Sequence, residues 1–188
     1  MSEEEVYVSL DFTPNPNTLK YNVNRILVSK GAHQFLKKSI AEKKSPLAAR
    51  LLSVPGVVGV MLGKDFVSVT KSEDGDWDAV HKNCSETIYD HLSKKLLVLD
   101  ASALQEESHK SGESAIAKRI IEILDTEIRP AVAMDGGDIT FDRFEDGIVY
   151  LYLQGSCSGC PSSVMTLKMG IENRLKQEIP EIQEVVSV

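Results

Sequence analysis

Cysteine is scarce in this chain. Three in 188 residues is too few, and odd in number, for a small secreted scaffold held by disulfides. No apolar run approaches the roughly 20 residues that a membrane-crossing helix needs, so no membrane partner is expected. The start, Met1-Ser2-Glu3-Glu4-Glu5, lacks the basic opening of a signal peptide and the arginine-rich, acid-poor character of a transit peptide. A cytoplasmic, bacterial-type location is therefore expected, with the mitochondrial matrix the alternative if a presequence has been removed. Cations are short where nucleic acid would need them. Residues 1–99 carry 13 Lys/Arg against 12 Asp/Glu, whereas residues 100–188 carry 8 against 16, so the net charge of −7 belongs to the second half. A phosphate backbone requires clustered Lys and Arg, and no nucleic-acid partner is expected. The paired carboxylates have no His or pocket signature beside them, which leaves no general acid–base assignment.

What is present reads as two small α+β units. In residues 1–99, Val6, Val8, Leu10 and Phe12 alternate with polar residues as a half-buried strand does. Thr13-Pro14-Asn15-Pro16-Asn17 is a turn, and a second strand runs through Leu19, Tyr21 and Val23. Helix is expected from about Ala32 to Ser53, broken at Ser45-Pro46, where Ser caps and Pro suits the first helical position. Val57–Leu62 and Phe66–Thr70 form a hairpin. A helix from Trp77 to about Leu96 aligns Trp77, Val80, Cys84, Ile88, His91, Leu92 and Leu96 on one face. Residues 100–112 lack apolar periodicity and read as a linker. Residues 113–188 read α-β-β-α-β. An amphipathic helix through Ile116, Ile120, Ile123, Leu124 and Ile128 is disturbed at Arg129-Pro130. Asp135-Gly136-Gly137-Asp138 turns the chain into a hairpin of Ile139–Phe144 and Ile148–Leu153. A helix from Pro161 to about Glu178 and a strand from Ile182 to Val188 follow.

Between that hairpin and the last helix lies Gly155-Ser156-Cys157-Ser158-Gly159-Cys160-Pro161, with two of the three cysteines at the spacing that lets two thiolates grip one metal centre. Cys160 is placed as helix N-cap with Pro161 at the first helical position. The helix dipole and unpaired N–H groups there favour a thiolate. Ser156, Ser158, Ser162 and Ser163 are placed to donate hydrogen bonds to sulfur. Two sulfurs are half of what a tetrahedral metal or an iron–sulfur cluster takes, and the simplest completion is a second copy of the chain. His33, His81, His91 and His109 all lie outside the second unit's core. Three readings stand on these residues: a cluster shared by two chains, a structural zinc module, and a dithiol–disulfide oxidoreductase. Cys84, on an apolar helix face, reads as a buried hydrophobe. Met165 and Met169, one turn apart, read equally as core filling or as a dimer contact.

The stretches Ile128-Arg129-Pro130-Ala131-Val132, Asp135-Gly136-Gly137-Asp138-Ile139, Leu153 through Ser163 and Leu167 through Glu172 together resemble the C-terminal domain of the NifU-like iron–sulfur carriers. The first unit resembles the N-terminal domain of the same carriers through Thr13 to Leu19, Ser45 to Ala48, Pro55-Gly56-Val57 and Asp65 to Lys71. The resemblance implies a domain at 1–99, a linker at 100–112 and a cluster-binding domain at 113–188. It implies a non-enzymatic protein that holds a [4Fe-4S] cluster, with [2Fe-2S] as the other form, at a homodimer interface through Cys157 and Cys160. The cluster would come from an upstream scaffold or donor and pass to apo iron–sulfur proteins by thiol exchange. The larger cysteine-rich regions of multidomain NifU are missing from the pattern, which favours carriage over synthesis.

Overall fold

The computed structural model describes residues 5–101, 114–159 and 161–188, with the side chains of residues 161–163 left aside. Cys160, His109 and nearly all of the expected linker fall outside the described residues. The architecture is the expected α+β, two layered units each with its own sheet.

The first sheet is antiparallel throughout, in the order β1 (Val8–Phe12), β2 (Thr18–Val23), β5 (Phe66–Lys71), β4 (Val57–Leu62) and β3 (His33–Phe35). Helices α1 (Lys38–Lys44), α2 (Pro46–Leu51) and α3 (Trp77–Ser93) belong to the same unit. Leu19, Tyr21, Val23, Val67 and Val69, every second residue of β2 and β5, share a core with Leu47, Leu51, Val80, Cys84 and Ile88, as a strand period of two and a helical period of 3.6 require. Ser45 caps α2 by accepting from the Ala48 N–H at 3.1 Å, with Pro46 at the first turn.

Two elements differ from expectation. Residues 33–35 are not helical but form the edge strand β3, in register with Val60 to Leu62 of β4. Three residues are too few to reveal a period, and the pairing of the sheet decides. Helix α3 stops at Ser93 rather than Leu96, and Lys95 takes a left-handed backbone at φ 52°.

The opposite face of this sheet is also covered. Lys20, Ser68 and Met61 lie directly across from one another on β2, β5 and β4, and are only 8%, 1% and 1% exposed. What covers them is the second unit.

That unit comprises α4 (Ala115–Ile123), a π-helical turn (Leu124–Ile128), α5 (Arg129–Met134), β6 (Gly137–Glu145), β7 (Ile148–Gly155), α6 (Pro161–Glu178) and β8 (Glu184–Ser187). The sheet order is β6-β7-β8, with β6 and β7 antiparallel and β8 parallel to β7 across the α6 connection. Asp146 and Gly147, with φ of 51° and 80°, are the two left-handed residues of a tight hairpin. Pro130 does not end the helical path. It sits in the first turn of α5 just after the π turn, where its missing N–H is least costly. Ile120, Ile123, Leu124, Ile139, Leu151, Ile171 and Leu175 form a second core. A small patch of Ala32, Met61 and Phe66, with Ala133 against it, joins the two units.

Candidate functional site

The thiol loop runs from the end of β7 to the start of α6 and is closed by its own backbone. Gly155 has φ +62°, the Cys157 N–H donates to Gln154 O at 3.3 Å, and the Ser158 N–H donates to Gly155 O at 3.1 Å. Of the four hydroxyls expected to serve sulfur, the two within the described side chains are engaged on carbonyls: Ser156 Oγ donates to Asp135 O at 2.5 Å and Ser158 Oγ to Gly155 O at 2.8 Å. Helix α6 begins at Pro161, as the sequence suggests.

The facing wall is Asp135-Gly136-Gly137-Asp138, where α5 passes into β6, and its two glycines answer different needs. Gly136 has φ +76°, and its N–H donates to Ala133 O at 3.1 Å, a left-handed exit from a helix. Gly137 has no left-handed φ. A side chain there would land on Cys157 Sγ and would sit 3.1 Å from Cys157 N and 3.2 Å from its Cβ. The thiol rests where a Cβ would be. Asp138, 4% exposed, is gripped by Arg129 through Nε at 2.8 Å and Nη2 at 2.9 Å, while Arg129 Nη1 donates to Asp125 at 2.9 Å. The two-pronged pair fixes the entry of α5 against β6.

Cys157 is 6% exposed and borders a cavity of about 420 Å³ lined by Pro14, Val132, Asp135, Ser156, Thr166 and Leu167. Burial pushes its thiol up to about 12, and the charges of Asp135 and Asp138 add to this. The helix-terminal field expected to favour a thiolate was placed at Cys160, outside the described residues, whereas at Cys157 desolvation and two carboxylates favour the thiol. Cys160, the other expected ligand, lies outside the described residues. Cys84 is fully buried in the first core, its thiol pushed up to about 12 by burial, as a packing residue would be. Met165 and Met169 are 66% and 59% exposed, so the core-filling reading fails for both. Among the described residues no three His, Cys, Asp or Glu side chains converge on a metal position.

Three residues that the sequence did not single out hold the loop from the first unit. Asn15 Nδ2 donates to Ser158 O at 2.8 Å, Ser68 Oγ to Gly136 O at 2.6 Å, and Lys20 Nζ to Met134 O at 3.1 Å. Gly136 O also accepts the Ser156 N–H at 3.1 Å, so one carbonyl serves both the loop and the first unit. All three acceptors are main-chain atoms, which carry no residue signature. The only trace in the sequence is the polar character of Lys20 and Ser68, which by itself reads as a solvated face.

Comparison with known proteins matches residues 8–95 to the description "Scaffold protein Nfu/NifU N terminal" and residues 120–186 to "NifU-like domain". Over 184 residues the chain is 39% identical to the human protein named "NFU1 iron-sulfur cluster scaffold homolog, mitochondrial", covering 97% of this chain and 72% of that one. A Drosophila erecta protein of the same name is also 39% identical, with 97% and 65% covered. The chain therefore spans about two thirds of the length of such relatives. A solution structure of a NifU-like protein from Saccharomyces cerevisiae matches 52% of this chain and 88% of that one, at 19% identity and a TM-score of 0.46. A crystal structure of a Staphylococcus aureus protein matches 45% and 98%, at 24% identity and a TM-score of 0.40.

Proposed function

The chain belongs to the Nfu/NifU family, and from that premise we propose that it carries an iron–sulfur cluster, without enzymatic turnover, on the thiols of Cys157 and Cys160. The cluster is cargo, a [4Fe-4S] unit first and [2Fe-2S] second. The observation that carries the reading is the setting of Cys157. Its sulfur lies in a cradle made by Gly137 and opens on a 420 Å³ cavity, in a loop whose sequence supplies only two sulfurs. Four thiolates then require two chains, and the exposed Met165 and Met169 on the first half of α6 are polarizable surface for that contact.

Delivery is ligand exchange without redox change. A thiolate of the recipient forms an Fe–S bond as the bond to Cys157 or Cys160 breaks, and the released thiolate takes up a proton. An upstream scaffold or donor supplies the cluster by the same exchange run the other way, and apo iron–sulfur proteins receive it. The two units are proposed to act as separate domains on either side of residues 100–112. The chemistry needs reduced thiols, and the proposed compartment is the cytosol, with the mitochondrial matrix as its alternative, since the relatives' names read "mitochondrial". A dithiol oxidoreductase would need an accessible thiol of low pKa, whereas burial of Cys157 works in the opposite direction.

The test is anaerobic reconstitution with iron and sulfide, followed by iron, sulfide and zinc analysis across a sizing column. Equal iron and sulfide should elute with a dimer and disappear in both Cys157→Ala and Cys160→Ala, while Cys84→Ala keeps them. A full cluster in Cys157→Ala, or zinc alone in the parent chain, would overturn the reading.

A further inference from the structure

The second face of the first sheet is an unusual surface. Strands β2, β5 and β4 bury their alternate residues on both sides, but the two sides differ in chemistry. The side with the helices is aliphatic. The other carries the register-matched row of Lys20, Ser68 and Met61, with Phe66 beside it. A sheet face meant for permanent burial would be apolar. This one offers two buried hydrogen-bond donors in the middle of strands, and both are spent on the walls of the thiol loop. Ser68 donates to Gly136 O and Lys20 to Met134 O. Asn15, from the turn between β1 and β2, reaches the other wall at Ser158 O, and Pro14 of the same turn forms a side of the cavity at Cys157.

The fit extends to the glycines. A Cβ on Gly136 would meet Ser68 Oγ at 2.8 Å, Lys20 Cβ at 3.2 Å and Thr13 Cγ2 at 3.3 Å. One on Gly155 would meet the Met61 Cε and Sδ atoms at 2.9 Å. Backbone lies directly on the first sheet at both edges of the loop. Among the described residues the buried apolar cluster at this contact is small, made of Ala32, Met61, Phe66 and Ala133. The donors would lose little by exchanging carbonyls for water. Polar, limited contacts of this kind are those across which units within a chain separate.

We infer that this face of the first unit, Asn15, Lys20, Met61 and Ser68, is a removable cap that docks on the thiol loop of its own chain and must leave before a second chain or a recipient can reach Cys157. The cap takes its purpose from the cluster-carrying role proposed above. The geometry is restrictive: Cys157 is 6% exposed, Pro14 forms one side of the cavity that Cys157 borders, and Asn15 holds the loop at Ser158 O. Two chains cannot bring thiols to one centre while each loop is covered by its own sheet. Loading would therefore be coupled to undocking, and the metal-free chain would keep its loop shielded from alkylation and oxidation.

The test reads thiol access in the metal-free full chain. In a Cys160→Ser background, Cys157 is the remaining loop thiol and buried Cys84 reports on the first core. Alkylation by N-ethylmaleimide is followed by mass spectrometry. Asn15→Ala with Ser68→Ala, or separately Met61→Glu, should speed modification of Cys157 by about tenfold or more, as weakening a local opening equilibrium does, with Cys84 still protected. An unchanged Cys157 rate in a variant that protects Cys84 would overturn the cap. A variant in which Cys84 also reacts has lost its core, and the unaltered chain then decides. Its Met61 ε-methyl must show a nuclear Overhauser contact with the Gly155 α-protons, and absence of that contact overturns docking. Neither measurement involves iron, so a failure of cluster binding and a failure of the cap are told apart.

Discussion

Replacing Gly137 with alanine adds one methyl group at the point where Cys157 is seated. The backbone at Gly137 is not left-handed, so alanine there is conformationally allowed. By restricting the unfolded chain it would normally stabilise by about 0.4–1 kcal/mol. Against this stands the collision. The new Cβ would overlap Cys157 Sγ and lie 3.1 Å from Cys157 N, so rotating the thiol away is not enough and the loop backbone must also move. Overpacking of this kind costs about 1–3 kcal/mol, which leaves a net loss of about 1.3 kcal/mol at the midpoints once the entropic gain is subtracted. Gly170, on the exposed side of α6 with nothing within 4 Å of a new Cβ, is the control. Alanine there should stabilise by about 0.5–1 kcal/mol. Urea unfolding of both variants measures the two signs, and iron and sulfide analysis after reconstitution measures the site. Gly137→Ala should lose both stability and cluster, while Gly170→Ala keeps its cluster. A Gly137→Ala chain as stable as its parent and fully loaded would show that the thiol does not depend on this cradle.

Arg129→Met leaves Asp138, 4% exposed, without its two-pronged partner. Loss of one member of a buried pair costs about 3–5 kcal/mol, here toward the lower figure because Arg129 reaches water at its edge, and Arg129→Lys should recover only part of it in thermal unfolding. Cys84→Ala removes a fully buried sulfur from the first core and should cost about 1 kcal/mol or more through the cavity left behind, with no effect on iron content. His91 is held neutral in the fold. Burial lowers its pKa, its Nε2–H donates to Leu97 O at 2.9 Å, and its Nδ1 faces Arg50 Nη1 at 3.3 Å, a tautomer assigned from those partners. Because the folded pKa lies below the ordinary 6.5, the unfolded chain binds the proton first. Stability is then full above about pH 6.5 and falls as pH drops below it. His91→Gln should flatten that slope in denaturant titrations between pH 7 and 5.

The strands and helices that carry their own period were legible in the sequence, and so was the loop. Leu19-Tyr21-Val23 and Val80-Cys84-Ile88 fall where alternation and helical spacing put them. Pro161 starts α6. What escaped was decided by groups without a sequence signature. Strand β3 is three residues long and exists because β4 offers it an edge. Lys20 and Ser68 look like solvent-facing residues, and their burial depends on the carbonyls of Met134 and Gly136, which any residue would present. The Arg129–Asp138 pair was visible as two motif residues but not as one contact, since it spans the turn from α5 to β6. The burial of Cys157, which pushes its thiol pKa up, was not legible for the same reason. The enclosure that raises its thiol pKa comes from groups brought in by the fold, Gly137, Asp135 and Asp138 about twenty positions earlier and Pro14 of the first unit.

The small apolar patch between the units also governs how the chain comes apart. Among the described residues each unit has its own aliphatic centre, and the apolar cluster that joins them holds only four residues. Cooperativity travels through buried apolar contact, so heat reaching one centre is poorly transmitted to the other. Scanning calorimetry should resolve two melting steps rather than one, each with the large heat-capacity rise of an exposed core. Separation of the units, which wets one small apolar cluster and the polar groups around it, should leave a heat-capacity signature far below that of either core. Opening the loop would then be thermally quiet, a motion the protein makes without approaching its own denaturation.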